Sequence, residues 1–319
     1  MGRTPWSARG PLAPLFCSGK PAGGPAAGQG ARPTMTPVSL ADSYAFCRRI
    51  ARTRARNFYY SFLLLKPARK NAMCAMYAFM RFCDDLSDDP AQSDRATAIA
   101  GWREELTQAL GGHFSDNPVW PAFHDSVNRY NIPHQYFFDM IDGVGSDVEP
   151  QRIETFDELY RYCYQVASVV GLTTVHIFGF KSPEALPLAE KCGIAFQLTN
   201  ILRDVAEDAA AGRVYLPAED LRRFSADVTR GNDAFRNMMR FEADRAKAYY
   251  AESAPLVGMI DSESQGALWA LIEIYRRLLT RIERSNFDVL DRRIRVPAWE
   301  KIWILIQATL FQSRARQEA

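Results

Sequence analysis

Two segments of this chain lack a polar face along most of their length, and both run into acid. Asn71 to Cys83 reads NAMCAMYAFMRFC and continues directly into Asp84-Asp85-Leu86-Ser87-Asp88-Asp89. A helix that is apolar nearly all round has no face for water, so this segment is expected to be buried and central. The second is Leu188 to Val205, where Gln197, Asn200, Asp204 and, one turn on, Asp208 follow at spacings of three, four and four. Those spacings put all four side chains on one stripe of one helix. Amid Phe196, Leu198, Ile201 and Leu202, unshared carboxylates are costly to bury, so the stripe needs a common partner.

Between these segments and around them the pattern is helical from Ser39 to about Ser313, with apolar residues three and four apart and no run of alternating β-branched residues. Punctuation at Lys66-Pro67, Asp89-Pro90, Gly111-Gly112, Ile132-Pro133, Ser182-Pro183, Gly212, Leu216-Pro217, Ala254-Pro255 and Val296-Pro297 cuts it into pieces of helical length. The expectation is one all-α domain over residues 35–319, built from roughly ten helices. Residues 1–34, rich in Gly, Pro, Ala and Arg, read as a disordered tail, with Met35 as an alternative start. Ile302 to Phe311 is apolar but about half the ~20 residues that a membrane-spanning helix needs.

Lys plus Arg (39) nearly balances Asp plus Glu (37), which removes any global field that would draw the chain to nucleic acid. Six widely spaced cysteines, with no CxxC and no histidine at ligand spacing, argue against zinc and against a disulfide framework. A reducing cytoplasm is the expected location, at most peripheral to the inner membrane surface. No GxGxxG follows a strand, which excludes a Rossmann-type nicotinamide site.

The two acidic clusters stand about 120 residues apart and would repel one another in a shared cavity. The sequence offers no cationic partners sufficient to neutralise them, and Mg²⁺ resolves the conflict. It binds through a few carboxylate oxygens, keeps several waters and bridges readily to phosphate. Asp84, Asp85 and Asp88 form one ligand set and Asp204 with Asp208 the other, while Gln197 and Asn200 can bind water, metal or phosphate oxygen. A diphosphate is the expected ligand. Taken alone, either cluster could be an acidic helix end facing water.

Three stretches then resemble the squalene/phytoene synthase signatures: YAFMRFCDDLSDD (Tyr77 to Asp89), YCYQVASVVG (Tyr162 to Gly171) and QLTNILRDVAEDAAAGRVYLP (Gln197 to Pro217). The similarity runs from about Asp42 to Ile306. It implies a class I isoprenoid synthase fold with a central cavity, facing Asp motifs and two bound allylic diphosphates. It also implies roles for individual positions. Arg81 matches a diphosphate-binding arginine. Gln197, Asn200, Arg203 and Arg213 match polar positions around the headgroups, and Tyr77, Tyr162, Tyr215, Tyr275 and Arg293 fall where the family has site residues. In the flap, ARTRARNFYYSF (Ala51 to Phe62), Asn57 stands where many relatives have serine. Of the basic run Arg48, Arg49, Arg52, Arg54 and Arg56, the last two are expected to cover substrate phosphates, with Asn57 and Phe58 beside them. Val166, Val170 and Gly171 look like the wall of an isoprenoid-tail pocket, although Gly171 reads equally well as a packing glycine.

The activity so implied is the head-to-head joining of two prenyl diphosphates. The flap and first motif look more like the branch that joins two farnesyl diphosphates to presqualene diphosphate or squalene, with NADPH needed only for squalene. Phytoene formation from geranylgeranyl diphosphate is the alternative. Other readings are a chain-elongating transferase or terpene cyclase, which the long second and third motifs oppose, and a non-catalytic assembly factor, which would show eroded Asp motifs.

Overall fold

The computed structural model describes residues 38–55, 58–88, 94–147 and 152–317. The tail, Arg56 and Asn57 of the flap, and Asp89 lie outside those residues. Pro67 opens the first anticipated apolar helix, α3 (Pro67–Asp88), at a position where its missing N–H costs nothing. Every residue from Ala72 to Met80 is buried. The second, α9 (Ala185–Ala210), is buried without interruption from Cys192 to Val205. These are the two pillars of the fold.

Around α3 pack α1 (Leu40–Arg54), α4 (Arg95–Leu110), α5 (Trp120–Arg129) and α6 (Gln135–Ser146). Ser39 caps α1 by accepting from the Asp42 N–H at 3.2 Å, as expected of capped helical sequence there. Phe79 on α3 meets Trp102, Trp120, Phe123 and Phe137 with ring centroids 4.6 to 6.0 Å apart, so its role is core packing. Around α9 pack α7 (Phe156–Cys163), α11 (Asp233–Glu252), α12 (Leu256–Met259) and α13 (Ser262–Arg284). α8 (Val169–Phe178) touches both pillars. The short α2 (Phe58–Phe62) and the last helix, α14 (Ala298–Gln317), close over α13, and α10 (Ala218–Phe224) rests on α11.

The described residues thus hold fourteen α-helices, more than the ten expected, because short helices such as α2, α10 and α12 carry no clear period. They contain no strand, only two isolated bridges, Arg152 with Val214 and Phe180 with Ile260. One feature was invisible in the sequence pattern. Tyr164–Ser168, inside the second motif, forms a π-helical turn between α7 and α8. It is gripped on both sides by glycines: a Cβ at Gly143 of α6 would stand 2.7 Å from Gln165 Cβ, and one at Gly193 of α9 would stand 2.5 Å from Ser168 Cα. The absence of side chains there lets three backbones cross closely, and π turns recur at functional sites.

Candidate active site

At the end of α3, Tyr77, Arg81, Asp84 and Asp85 lie one turn apart along the helix, and Arg54 at the end of α1 is close enough to act on the Tyr77 hydroxyl. Arg81 pairs with Asp85, its i+4 neighbour. Arg81, Asp84 and Tyr77 are buried. Asp88 is the last residue of α3. Arg48, in contrast, is occupied by Asn71 at 3.2 Å, and Arg49 and Arg52 face solvent, so only Arg54 of the described basic run reaches the cluster.

The second cluster is denser. Asp204 on α9 is held by Arg203 at 2.8 Å and by Arg293, from the segment after α13, at 3.0 Å. Arg293 also reaches Glu207 at 3.0 Å. The expectation that the clusters lack cationic partners is therefore corrected for Asp204 and Asp85: arginines from the same helix or from a distant loop supply them. One turn on, Asp208 is buried, and its Oδ1 has no hydrogen-bond partner. Burial, and then the charge of Asp204, push its carboxyl up to about 8. Asn200, one turn before Asp204, also buries an unpartnered Oδ1, while its amide faces Gln197 Oε1 at 3.4 Å and its side chain hydrogen-bonds the Tyr275 hydroxyl.

Asn200, Asp204 and Asp208 offer hard oxygen donors along one stripe, two of them with a spare buried oxygen. That donor set fits a divalent cation that takes its remaining ligands from water and phosphate. Among the described residues no three His, Cys, Asp or Glu side chains converge as a closed metal cage.

Gly212, in the left-handed region at φ 74°, ends α9 and turns the chain so that Arg213 and Tyr215 come back beside it. There they meet a residue that sequence reasoning missed. Asp147, buried just after α6, accepts from Tyr162 at 3.1 Å and Tyr215 at 2.8 Å, and its carbonyl accepts from Arg213 at 2.5 Å. The two rings stack at 4.9 Å. Burial raises the phenols of Tyr77, Tyr162, Tyr215 and Tyr275 above their ordinary range, so all four are neutral donors near neutral pH. Asp147 was findable by the signal that exposed Asp84, an acid closing an apolar helix, here FFDMIDGVGSD. Glu207, which shares Arg293 with Asp204, was the other omission.

Behind α9 lies a narrow apolar cavity of about 30 Å³, lined by residues that include Phe58, Val170, Gly171, Phe196, Leu268 and Leu271. Phe196 stacks on Tyr275 at 4.2 Å, and Phe58 tilts against the same ring at 5.8 Å, which links cavity and polar cluster. Val170 and Gly171 line this cavity. Val166 does not line it: its Cγ1 points at Gly143, where a Cβ would stand 2.9 Å away, because the π turn rotates it towards α6. Gly171 is also a packing glycine, since a Cβ there would stand 3.0 Å from the Ala189 carbonyl.

Residues 51–300 match the family model for squalene/phytoene synthase. A phytoene synthase of Arthrospira platensis is 37% identical over 300 residues, 88% of this chain and 96% of that protein. A 15-cis-phytoene synthase of Synechococcus elongatus is 37% identical over 299 residues, with the same shares. Among solved structures, a dehydrosqualene synthase in complex with ligand superposes with a TM-score of 0.79 at 28% identity, over 86% of this chain and 98% of that one. Motifs in order on a superposable fold leave one assignment: this chain belongs to the squalene/phytoene synthase family, prenyl transferases that join two prenyl diphosphates head to head.

Proposed function

We propose that the chain condenses two molecules of geranylgeranyl diphosphate to a phytoene, using Mg²⁺. The observation that carries the choice of substrate is that the relatives matching over 96% of their length are phytoene synthases. Asp84, Asp85 and Asp88 on one side and Asn200, Asp204 and Asp208 on the other would hold the metal, which supplies compact positive charge against a leaving diphosphate. Arg54, Arg56, Arg81, Arg203, Arg213 and Arg293, with Asn57 and Gln197, would orient the headgroups and stabilise the negative charge that develops on them. Departure of one diphosphate leaves an allylic cation, which the 2,3 double bond of the second substrate attacks. Loss of a proton closes a cyclopropane. Because the buried phenols are neutral, the departing diphosphate is the better proton acceptor, and Tyr77, Tyr162 and Tyr275 serve to orient and to shield the cation. Aromatic faces add about 0.5 to 2 kcal/mol each to such a charge. A second ionisation, rearrangement and proton loss give the triene with no hydride, so NADPH is not required.

Farnesyl diphosphate going to presqualene diphosphate or squalene is the second reading, favoured by the likeness to a dehydrosqualene synthase. Product identification after incubation with Mg²⁺ and each substrate, with and without NADPH, separates them. A C40 hydrocarbon formed without NADPH is expected. A C30 product from farnesyl diphosphate as the dominant outcome establishes the second reading, and no hydrocarbon from either substrate turns the chain into a non-catalytic relative.

A further inference from the structure

We propose that Lys301 is a further diphosphate-binding residue, whose ammonium joins Arg203, Arg293 and Arg295 in one cationic wall beside Asp204. Lys301 lies in the first turn of α14 and is half-buried. The rotation of that helix is set by its apolar inner face. Ile304 and Ala308 form a small core with Ala270 and Ile274 of α13, and Leu305 packs on it together with Leu64, just beyond α2. Lys301 stands one turn before Leu305 and so looks to the same side, towards the flap. There it comes close enough to Arg203 on α9, and to Arg295 just before α14, for both charges to act on it.

The fold by itself does not favour a lysine in this place. Burial, and then the positive charges of Arg295 and Arg203, hold its ammonium below the ordinary lysine range. The first turn of a helix is also its positive end, where a cation opposes the dipole. Glu300, the residue before it, does not offset the charge, because its carboxylate is turned to α13 and taken by Arg277 at 3.2 Å and Arg281 at 3.0 Å. The same imbalance continues on α9. Arg203 binds Asp204 at 2.8 Å, and Arg293 spans Asp204 and Glu207 at 3.0 Å each. Four cations, Arg203, Arg293, Arg295 and Lys301, thus stand around the two carboxylates that Arg203 and Arg293 hold. An anion of more than one charge relieves that surplus, and a diphosphate headgroup is the anion that the substrates of this family bring. Lysine, a compact charge on a flexible stem, also suits a group that must arrive and leave. The inference rests on prenyl diphosphates being the substrates, and is independent of their length.

The test measures the binding of inorganic pyrophosphate to the purified full chain by calorimetry in the presence of Mg²⁺, beside steady-state kinetics on geranylgeranyl and farnesyl diphosphates. Lys301→Met should raise the pyrophosphate Kd and the substrate KM by about tenfold or more, as for the loss of one charge-assisted hydrogen bond, with kcat changed less. Lys301→Arg keeps the charge and should recover most of that loss. Lys247→Met removes a lysine paired with Asp244 and Glu283, and should bind as the parent does. Thermal melts confirm that the variants fold, and Lys301→Gln serves if Lys301→Met does not. Unchanged Kd and KM in Lys301→Met overturn the proposal and leave Lys301 a scaffold cation. So does an equal loss in Lys301→Arg, or a parent that does not bind pyrophosphate. Pyrophosphate binding that depends on Lys301, in a chain that turns over neither prenyl substrate, upholds this site and overturns the proposed condensation instead.

Discussion

Asp85, at the end of α3, is 22% exposed and takes its counter-charge from Arg81 one turn back on the same helix, whereas Asp204 on α9 is 3% exposed and takes Arg203 beside it and Arg293 from beyond α13. The two carboxylates look alike in sequence, each an acid at the end of an apolar helix. They differ in how their charge is tolerated. A local pair at a half-wet helix end is cheap to make and cheap to lose. A buried carboxylate between two guanidiniums from separate elements fixes those elements to one another, and removing it strands the buried Arg203 cation, while Arg293 keeps Glu207.

The largest expected effect breaks this comparison open. Asp85→Asn and Asp204→Asn should both lower kcat by on the order of 10² or more, since each removes a carboxylate proposed to hold the metal that meets the diphosphate. Only Asp204→Asn should also cost about 3 to 5 kcal/mol of stability, with Asp85→Asn losing less than about 1 kcal/mol. Kinetics and denaturant titration of the same preparations check both halves. Equal stability losses would mean that the arginine clamp on Asp204 carries no structural load.

Next in size is Asp147, which extends the α9 side by tying α6 to Tyr162 and Tyr215. Asp147→Ala leaves two buried phenols without their acceptor, at about 1 to 3 kcal/mol each. Stability should fall by about 2 to 4 kcal/mol, and turnover by at least about tenfold as Tyr162 loses its orientation. Measured unfolding and kcat that match the parent would remove Asp147 from the site.

How much of this was legible in the sequence depends on range. The pillars α3 and α9, the stripe of Gln197, Asn200, Asp204 and Asp208, and the absence of strands among the described residues follow from periodicity within single helices, which a sequence displays directly. The cation partners do not: Arg293 is 89 residues from Asp204, and only the folded chain brings them within reach. Asp147 is likewise defined by hydroxyls 15 and 68 residues away. The π turn was hidden because its apolar pattern differs from an α-helix by one residue in one turn, and that residue is what moved Val166 off the cavity wall. Gly143 and Gly193 mark the turn's two neighbours, but their meaning appears only once the helices cross.

A pH experiment sharpens the contrast between site and scaffold. Burial raises Asp208 on α9 to about 8, and it raises Glu242 on α11, away from the site and beside Arg245 and Asp220, to about 8 as well. For both acids the folded value lies above the unfolded one, so the folded state binds the extra proton between roughly pH 4 and 8. Their contribution to stability is complete below about pH 4 and is lost as pH rises through 8, with a limiting slope of about 1.4 kcal/mol per pH unit for one proton. Glu242→Gln should flatten part of that slope with or without Mg²⁺. The Asp208 part should reverse when Mg²⁺ is added, because the metal takes the place of the proton. A slope insensitive to Mg²⁺ would detach Asp208 from the metal.

The smallest effect concerns the apolar cavity behind α9. Val170→Ala should shift the ratio of geranylgeranyl to farnesyl turnover towards the longer substrate by about 1 to 3 kcal/mol at most. Val166→Ala, on the far side of the π turn, should leave that ratio alone. If the two variants behave identically, the cavity behind α9 does not hold the tail. Gly171→Leu is a poorer probe, since its new side chain must displace the Ala189 backbone.

On this reading the α3 and α9 clusters act through metal on the same diphosphates. That is tested most directly by the Mg²⁺ dependence of turnover in the parent, Asp84→Asn, Asp204→Asn and the double variant. No turnover is expected in excess EDTA, with restoration by Mg²⁺, a raised Mg²⁺ requirement in each single variant, and a double variant little worse than the worse single one, as for groups that act as a unit. Full turnover in EDTA, or losses in the double variant equal to the product of the two singles, would contradict it.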